Sequence, residues 1–440
     1  MTVWPIETHI SGFIPVARVL RDRGHRVAFY SGNELQPELE REGFRVFPFR
    51  DLDHRFSRCN PGTAVTRKMG PRARVRVWQN FLLGSVPGQL QDLERIGAEW
   101  QPDGIVCDMT MWGPILVLHE AMQLPVAVLA HTAYCIIPGR ENPAPGIPLP
   151  LPRSRRMRLA ERALSWGLDR IAAGVPREAN RIRRQYGLPA LSGTVVDFTG
   201  RMPLYLVPSA PEFDYERCDL PGCVHYIGPC VAEDEMTPAP VRTMRLDAGR
   251  PRVLAVDEAH GDDSQLLRIA ARAFAGSAVE LTLLARQGRD LATLELAVTA
   301  PNVHVESCLP LRQALPAADV VVADGHSETV LAALSHGVPL VVVPHMLEQP
   351  QVAWRVTASG TGIRLPARRS TPQRLREAVE RVIASEWYTR NAQRMGAALA
   401  RQGGAARAAG WIETMLGPNA RLSCDAAAGR GLSHSSVTTH

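Results

Sequence analysis

The chain has 440 residues, 45% of them hydrophobic and 21% charged. That balance excludes a disordered chain, and the length exceeds one typical core, so two domains of roughly 200 residues each are expected. No run of about 18 apolar residues and no cationic start with an apolar signal core occurs, which argues against a transmembrane segment or a secretory leader and makes the cytoplasm the default location.

The net charge of +6 comes almost wholly from arginine, with Lys68 the only lysine. It leaves room for peripheral contact with an anionic membrane surface, but no aromatic-interleaved basic patch supports a nucleic-acid partner. Of the eight cysteines, Cys218, Cys223 and Cys230 lie close together without a C-x-x-C pair or a zinc spacing. They read as free thiols, and no metal is expected.

In chain order, Met1 to Trp4 leaves little room for an opening strand. Phe13 to Arg23 has the apolar spacing of a helix, with Gly24 ending it, and Arg26 to Tyr30 reads as a strand. The loop Glu7–Ser11, between the opening residues and that helix, sits where α/β sheets place their chemistry, which makes His9 a candidate. Residues 51 to 78, rich in arginine and broken by Pro61 and Gly62, read as an irregular basic segment, most simply a solvated loop. An amphipathic helix is expected from Val86 to Trp100. Asp103–Asp108 follows as a buried strand that delivers Asp108 at its end, and Leu124–Ala130 as another.

Six prolines between Pro138 and Pro152 rule out helix or central strand there. The segment is either a linker or a surface over the site. Helical patterning resumes from Ser154 to Tyr186, and Leu204–Val207 is again a strand, which favours the surface. These elements place a first domain at 1–230, a linker at 231–241, a second domain at 242–416 and a disordered tail at 417–440. In the second domain, strands are expected at 252–256, 279–284 and 303–305, and helices at 264–275 and from Thr371 onward.

The most informative stretch is Asp319 to Val356. Asp319–Ala323 is a buried strand, Asp324–Ser327 a polar turn, Glu328–Leu334 a helix stopped by Gly337 and Pro339, and Leu340–Pro344 a second buried strand. This βαβ unit requires a parallel sheet. Its helix aims unpaired N–H groups and the positive end of its dipole at an anion such as a diphosphate. The run from Gly325-x-Ser327-x-Thr329 through His336-Gly337-Val338-Pro339 to Glu348-Gln349-Pro350 and Arg355-Val356 resembles the donor-binding signature of the GT-B glycosyltransferases, specifically the macrolide and UDP-glycosyltransferase group.

That resemblance implies an α/β chain of two Rossmann-like domains facing across a cleft. It implies an inverting transfer of a sugar from a nucleotide-diphosphate donor, a co-substrate rather than a cofactor, to a hydroxyl of a small hydrophobic acceptor such as a bacterial polyketide. It makes His9 the general base and Asp108 its partner, although Thr8 and Gly12 depart from the family's Gly-His-x-x-Pro loop. On the donor side it points to Asp324, Gly325, His326, Ser327 and Thr329 at the phosphate turn, Glu348 and Gln349 on the sugar hydroxyls, and Cys308 in place of the aromatic that stacks on the base.

Here the residues depart further. Asp324-Gly325-His326 stands where the family has His-Gly-Gly, Glu328 where it has glycine, and Asp257-Glu258 where it has a Ser/Gly turn. Two like charges about 4 Å apart repel by roughly 4 kcal/mol at an intermediate dielectric. His326, Arg286 and Arg312 are available to compensate. Three readings follow: a working glycosyltransferase, a catalytically degenerate homologue acting as a binding or auxiliary protein, and a different reaction on the same scaffold. An intact base pair favours the first.

Overall fold

The computed structural model describes the chain except residues 54–55, 57–68, 132–136, 140–158, 160–162, 165, 168–169, 218, 232–248, 258–264, 285–299, 307–308, 346–347 and 418–440. Nearly all of the proline-rich loop, of the expected linker and of the tail therefore lies outside the described residues.

Two parallel sheets organise the chain. In the first, β1 (Ala28–Ser31) pairs with β2 (Arg45–Pro48), and β3 (Ile105–Asp108), β4 (Val126–Leu129), β5 (Leu204–Val207) and β6 (Val224–Tyr226) pair in that order. Thr2 joins the two sets, bridging Tyr30 on one side and Cys107 on the other. The opening residues, too few to read as a strand, thus form the middle rung of this sheet. Val3 N donates to Tyr30 O and Asp108 N to Thr2 O, and Val3 and Trp4 are fully buried.

The second sheet contains β7 (Arg252–Val256), β8 (Glu280–Leu284), β9 (Val303–Glu306), β10 (Val320–Ala323), β11 (Leu340–Val342) and β12 (Gly362–Arg364). Its spatial order is β9-β8-β7-β10-β11-β12, all parallel. The order reverses between β7 and β10, and ligands of such sheets bind beyond the strand ends at that point. Every residue of β3, β4, β5, β8 and β10 is buried. Helices cover both faces of such a sheet, which is why these strands read as unbroken apolar runs.

Among the helices are α1 (Glu7–Ile10), α2 (Phe13–Asp22), α3 (Pro71–Gln79), α4 (Val86–Trp100), α5 (Gly174–Gln185), α6 (Gln265–Phe274), α7 (Ser327–Ser335), α8 (Gln349–Ala358), α9 (Pro372–Ile383), α10 (Glu386–Arg401) and α11 (Gly404–Leu416). Two differ from expectation. The loop carrying His9 winds into a helical turn, and Pro71–Gln79 of the basic segment is helical, with proline in its first turn where the missing N–H costs nothing. Among the described residues no helix is long and apolar enough to cross a membrane.

The chain crosses from the second sheet back to the first at its end. Ala405, Ala408, Ala409 and Ile412 of α11 pack with Val106, Leu129, Leu204 and Leu206 of the first sheet and Phe13 and Ala17 of α2. Gly404 N donates to Ile227 O at 2.6 Å. Gly228 makes the crossing feasible: it sits at φ +76°, and a Cβ there would lie 2.7 Å from Leu399 O. By packing, α11 therefore belongs with the first sheet, although it is sequence-contiguous with the second.

A buried ion pair ties the two units a second time. Arg355 of α8 donates from Nε (2.9 Å) and Nη2 (2.6 Å) to Asp214 Oδ1 and lies over the Tyr215 ring, 4.2 Å from its centre. Tyr226 hydroxyl donates to the other Asp214 oxygen.

Candidate active site

The first cluster is built where the first sheet changes direction. Trp4 is buried under Phe81 and Phe49, so the chain leaves the Thr2 rung at a fixed point. A turn with Ile6 N on Trp4 O and His9 N on Ile6 O then starts α1. Asp108 ends β3 on the other side of that rung and is fully buried. Its Oδ1 accepts from Thr110 N at 2.8 Å and from the Thr110 hydroxyl. Its Oδ2 accepts from His9 Nδ1 at 3.1 Å. Residues 99 apart in sequence are thereby within hydrogen-bond reach, as their strand-end positions predict.

A residue that the sequence reading missed shares this contact. His131, just past β4, donates from Nδ1 to the same Asp108 Oδ2 at 2.7 Å. Its ring stacks on that of His9 with centres 3.4 Å apart and planes 22° from parallel. The signal was available: Ala130-His131 closes a strand as Asp108 closes the one before it.

Because a carboxylate only accepts, each imidazole carries its proton on Nδ1, and the opposite Nε2 of a neutral ring is a free acceptor. Burial and the neighbouring His131 push the His9 pKa down, outweighing the lift from Asp108. Burial alone would raise Asp108, but His131 and His9 beside it hold its carboxyl well below the usual range. The three ligating atoms lie within 4.8 Å of one another. Face-to-face rings do not aim two in-plane lone pairs at one ion at about 2.1 Å, so the cluster is hydrogen-bonded rather than metal-binding in form.

The second cluster lies beyond β10. Asp324 is fully buried. Gly325 follows at φ +97°, where a Cβ would meet Val342 Cγ1 at 2.8 Å, so the turn into α7 demands glycine. His326 precedes α7, its carbonyl accepting from Val330 N at 3.1 Å. Ser327 and Thr329 are buried in the first turn.

Asp324 does not stand open to this turn. Its Oδ1 accepts from His326 N at 3.2 Å and its Oδ2 from Gln349 Nε2 at 3.0 Å. Gln349 Oε1 in turn accepts from His345 N at 2.8 Å. The two ends of the Gln349 amide are thus engaged by different groups, its nitrogen by the Asp324 carboxylate and its oxygen by the His345 backbone. His326 lies between two carboxylates, 3.5 Å from Glu348 and 3.9 Å from Asp324. Asp257 is buried at the end of β7, and Arg312 sits half-buried on Leu311–Ala314. Cys308, Glu258 and Arg286 lie outside the described residues.

The family described as erythromycin biosynthesis protein CIII-like, C-terminal domain, matches residues 276–414. The 4'-demethylrebeccamycin synthase of Lentzea aerocolonigenes is 33% identical over 399 residues, covering 89% of this chain and 93% of the relative. Among solved structures, the kitacinnamycin glycosyltransferase superposes with a TM-score of 0.74 at 22% identity, covering 95% of this chain and 98% of that one. The spinosyn rhamnosyltransferase SpnG complexed with thymidine diphosphate gives 0.63 at 17% identity, covering 94% and 99%.

Proposed function

Because the chain belongs to the macrolide and UDP-glycosyltransferase family of GT-B glycosyltransferases of natural-product biosynthesis, we propose that it transfers a sugar from a nucleoside-diphosphate donor to a hydroxyl of a small hydrophobic acceptor, with inversion at the anomeric carbon. The observation that carries the reading is the His9–Asp108 contact at the switch point of the first sheet.

In this reading Nε2 of neutral His9 takes the acceptor's hydroxyl proton as its oxygen forms a bond to the anomeric carbon. The bond from that carbon to the diphosphate oxygen breaks on the opposite face, and its electron pair leaves with the nucleoside diphosphate. Asp108, kept ionised, stabilises the imidazolium through Nδ1–H, and the proton then passes to solvent.

The diphosphate is assigned to the amides opening α7, with the Ser327 and Thr329 hydroxyls in the same turn. The thymidine diphosphate in the SpnG complex supports a nucleotide of this class. Asp324 opposes an anion there, but its bonds to Gln349 and His326 N, and the His326 ring nearby, offset part of that repulsion.

His9→Ala should abolish transfer while leaving the donor's calorimetric Kd within about threefold, because the base does not hold the diphosphate. Retained turnover would remove His9 as the base. If neither protein binds a nucleoside diphosphate although an acceptor binds, the donor assignment fails.

A further inference from the structure

The family likeness accounts for a histidine and its aspartate, but not for a second histidine on the same carboxylate oxygen. His131 is closer to Asp108 Oδ2 than His9 is, 2.7 against 3.1 Å, and less exposed, 8% against 12%. One oxygen therefore accepts two N–H bonds from rings in face-to-face contact. Three consequences follow from that arrangement. The stack and the shared oxygen remove the freedom of the His9 ring to turn about its χ angles. The Asp108 oxygen that accepts from His131 accepts less fully from His9. A proton on either ring opposes a proton on the other, because like charges in contact in a buried site cannot both be accommodated.

On the reading that His9 is the base, we propose that His131 is a positioning residue: it fixes the His9 ring and, by sharing Asp108, keeps His9 in the neutral form that can take a proton. The surrounding charges permit this role. Among the described residues, the charged or titratable groups bearing on His9 are Asp108, from the end of β3, and His131, from beyond β4. Cys107, next to Asp108, has its thiol pushed well up by burial and stays neutral. Thr110, on the other Asp108 oxygen, does not titrate. Lowering of the His9 pKa by His131 agrees with the geometry.

The test needs no substrate. In protein carrying 15N-labelled histidine, the His9 ring signal is assigned by its loss in His9→Gln and titrated from pH 5 to 9. In His131→Phe, which keeps an aromatic ring on His9 but neither the charge nor the claim on Asp108, the His9 pKa should rise by about one unit. His131→Leu, which likewise cannot donate to Asp108, serves as a second variant should the first fail to fold, with the same rise expected. An unchanged or lower His9 pKa in a folded variant overturns the proposal.

At pH 8.5, His131→Ala should lower kcat about tenfold with KM for both substrates within about twofold, and His131→Phe should recover part of that loss. Equal loss in both variants, or loss in KM alone, counts against positioning. If no sugar transfer is found at all, the function fails while the titration still decides the coupling.

Discussion

Replacing Asp214 by alanine should destabilise the protein far more than an ordinary surface change. Arg355 and Asp214 are 0% and 1% exposed, so the substitution leaves a guanidinium in the interior with its two strongest acceptor bonds gone. Gln351 O, at 3.3 Å from Nη1, and the Tyr215 ring remain. Tyr215 N and the Tyr226 hydroxyl also lose an acceptor. Breaking a buried pair from one side costs about 3–5 kcal/mol. At about 2–4 °C per kcal/mol, Tm should fall by roughly 6–20 °C in a calorimetric scan. The double variant Asp214→Leu with Arg355→Met removes both charges and should be markedly more stable than either single one, a coupling of about 2 kcal/mol or more. Since α8 begins at Gln349, whose amide holds Asp324, the single variant should also weaken donor binding. A fall in Tm below about 2 °C, or additive single and double variants, would refute the reasoning.

Stability should decline on the acid side in two stages. Native His9 is held neutral below its ordinary range, so its contribution is complete above about pH 6.5 and is lost as pH falls from there. Native Asp108 stays ionised below the range where an unfolded carboxyl takes its proton, so its contribution is complete above about pH 4 and drains away below that. Urea midpoints from pH 8 to 3 should show both stages in the parent, and Asp108→Asn should flatten the lower one; a lower stage unaltered in that variant removes Asp108 as its source. Asp324→Asn keeps an acceptor for Gln349 but removes a buried charge beside the proposed diphosphate turn, so calorimetry should find thymidine diphosphate bound about tenfold tighter, a gain of about 1.4 kcal/mol. Unchanged affinity would mean that His326 and its neighbours already neutralise Asp324.

The unit around β10, α7 and β11 was legible because everything that specifies it is local: apolar runs for doubly covered strands, a glycine for the turn, glycine and proline for the helix stop. His9 and Asp108 stood out as candidates by position, and the family resemblance is what paired them. His131 carries the same positional signal, yet its chemistry depends on a ring stack that only the assembled sheet creates. The Thr2 rung was illegible because one residue has no periodicity. In α3, Arg72, Arg74 and Arg76 recur every second residue, which conceals a helix held by its partners rather than by its own pattern. Asp214 and Arg355 are 141 residues apart, and no local pattern announces such a pair. The direction of the Gln349 amide, likewise, follows from a carboxylate 25 residues earlier in the chain.

The return of α11 to the first sheet also sets an order of events during synthesis. Leu204 and Leu206 of β5 leave the ribosome about 200 residues before Ala405 and Ile412, which cover them. At roughly 5–20 residues per second this apolar face waits about ten to forty seconds for its own C-terminal segment. Before that interval ends the second sheet can close, since its described strands all lie between Arg252 and Arg364. The half of the molecule made first is therefore completed only after the second sheet, and the nascent chain presents a sticky surface for a chaperone to shield until α11 arrives.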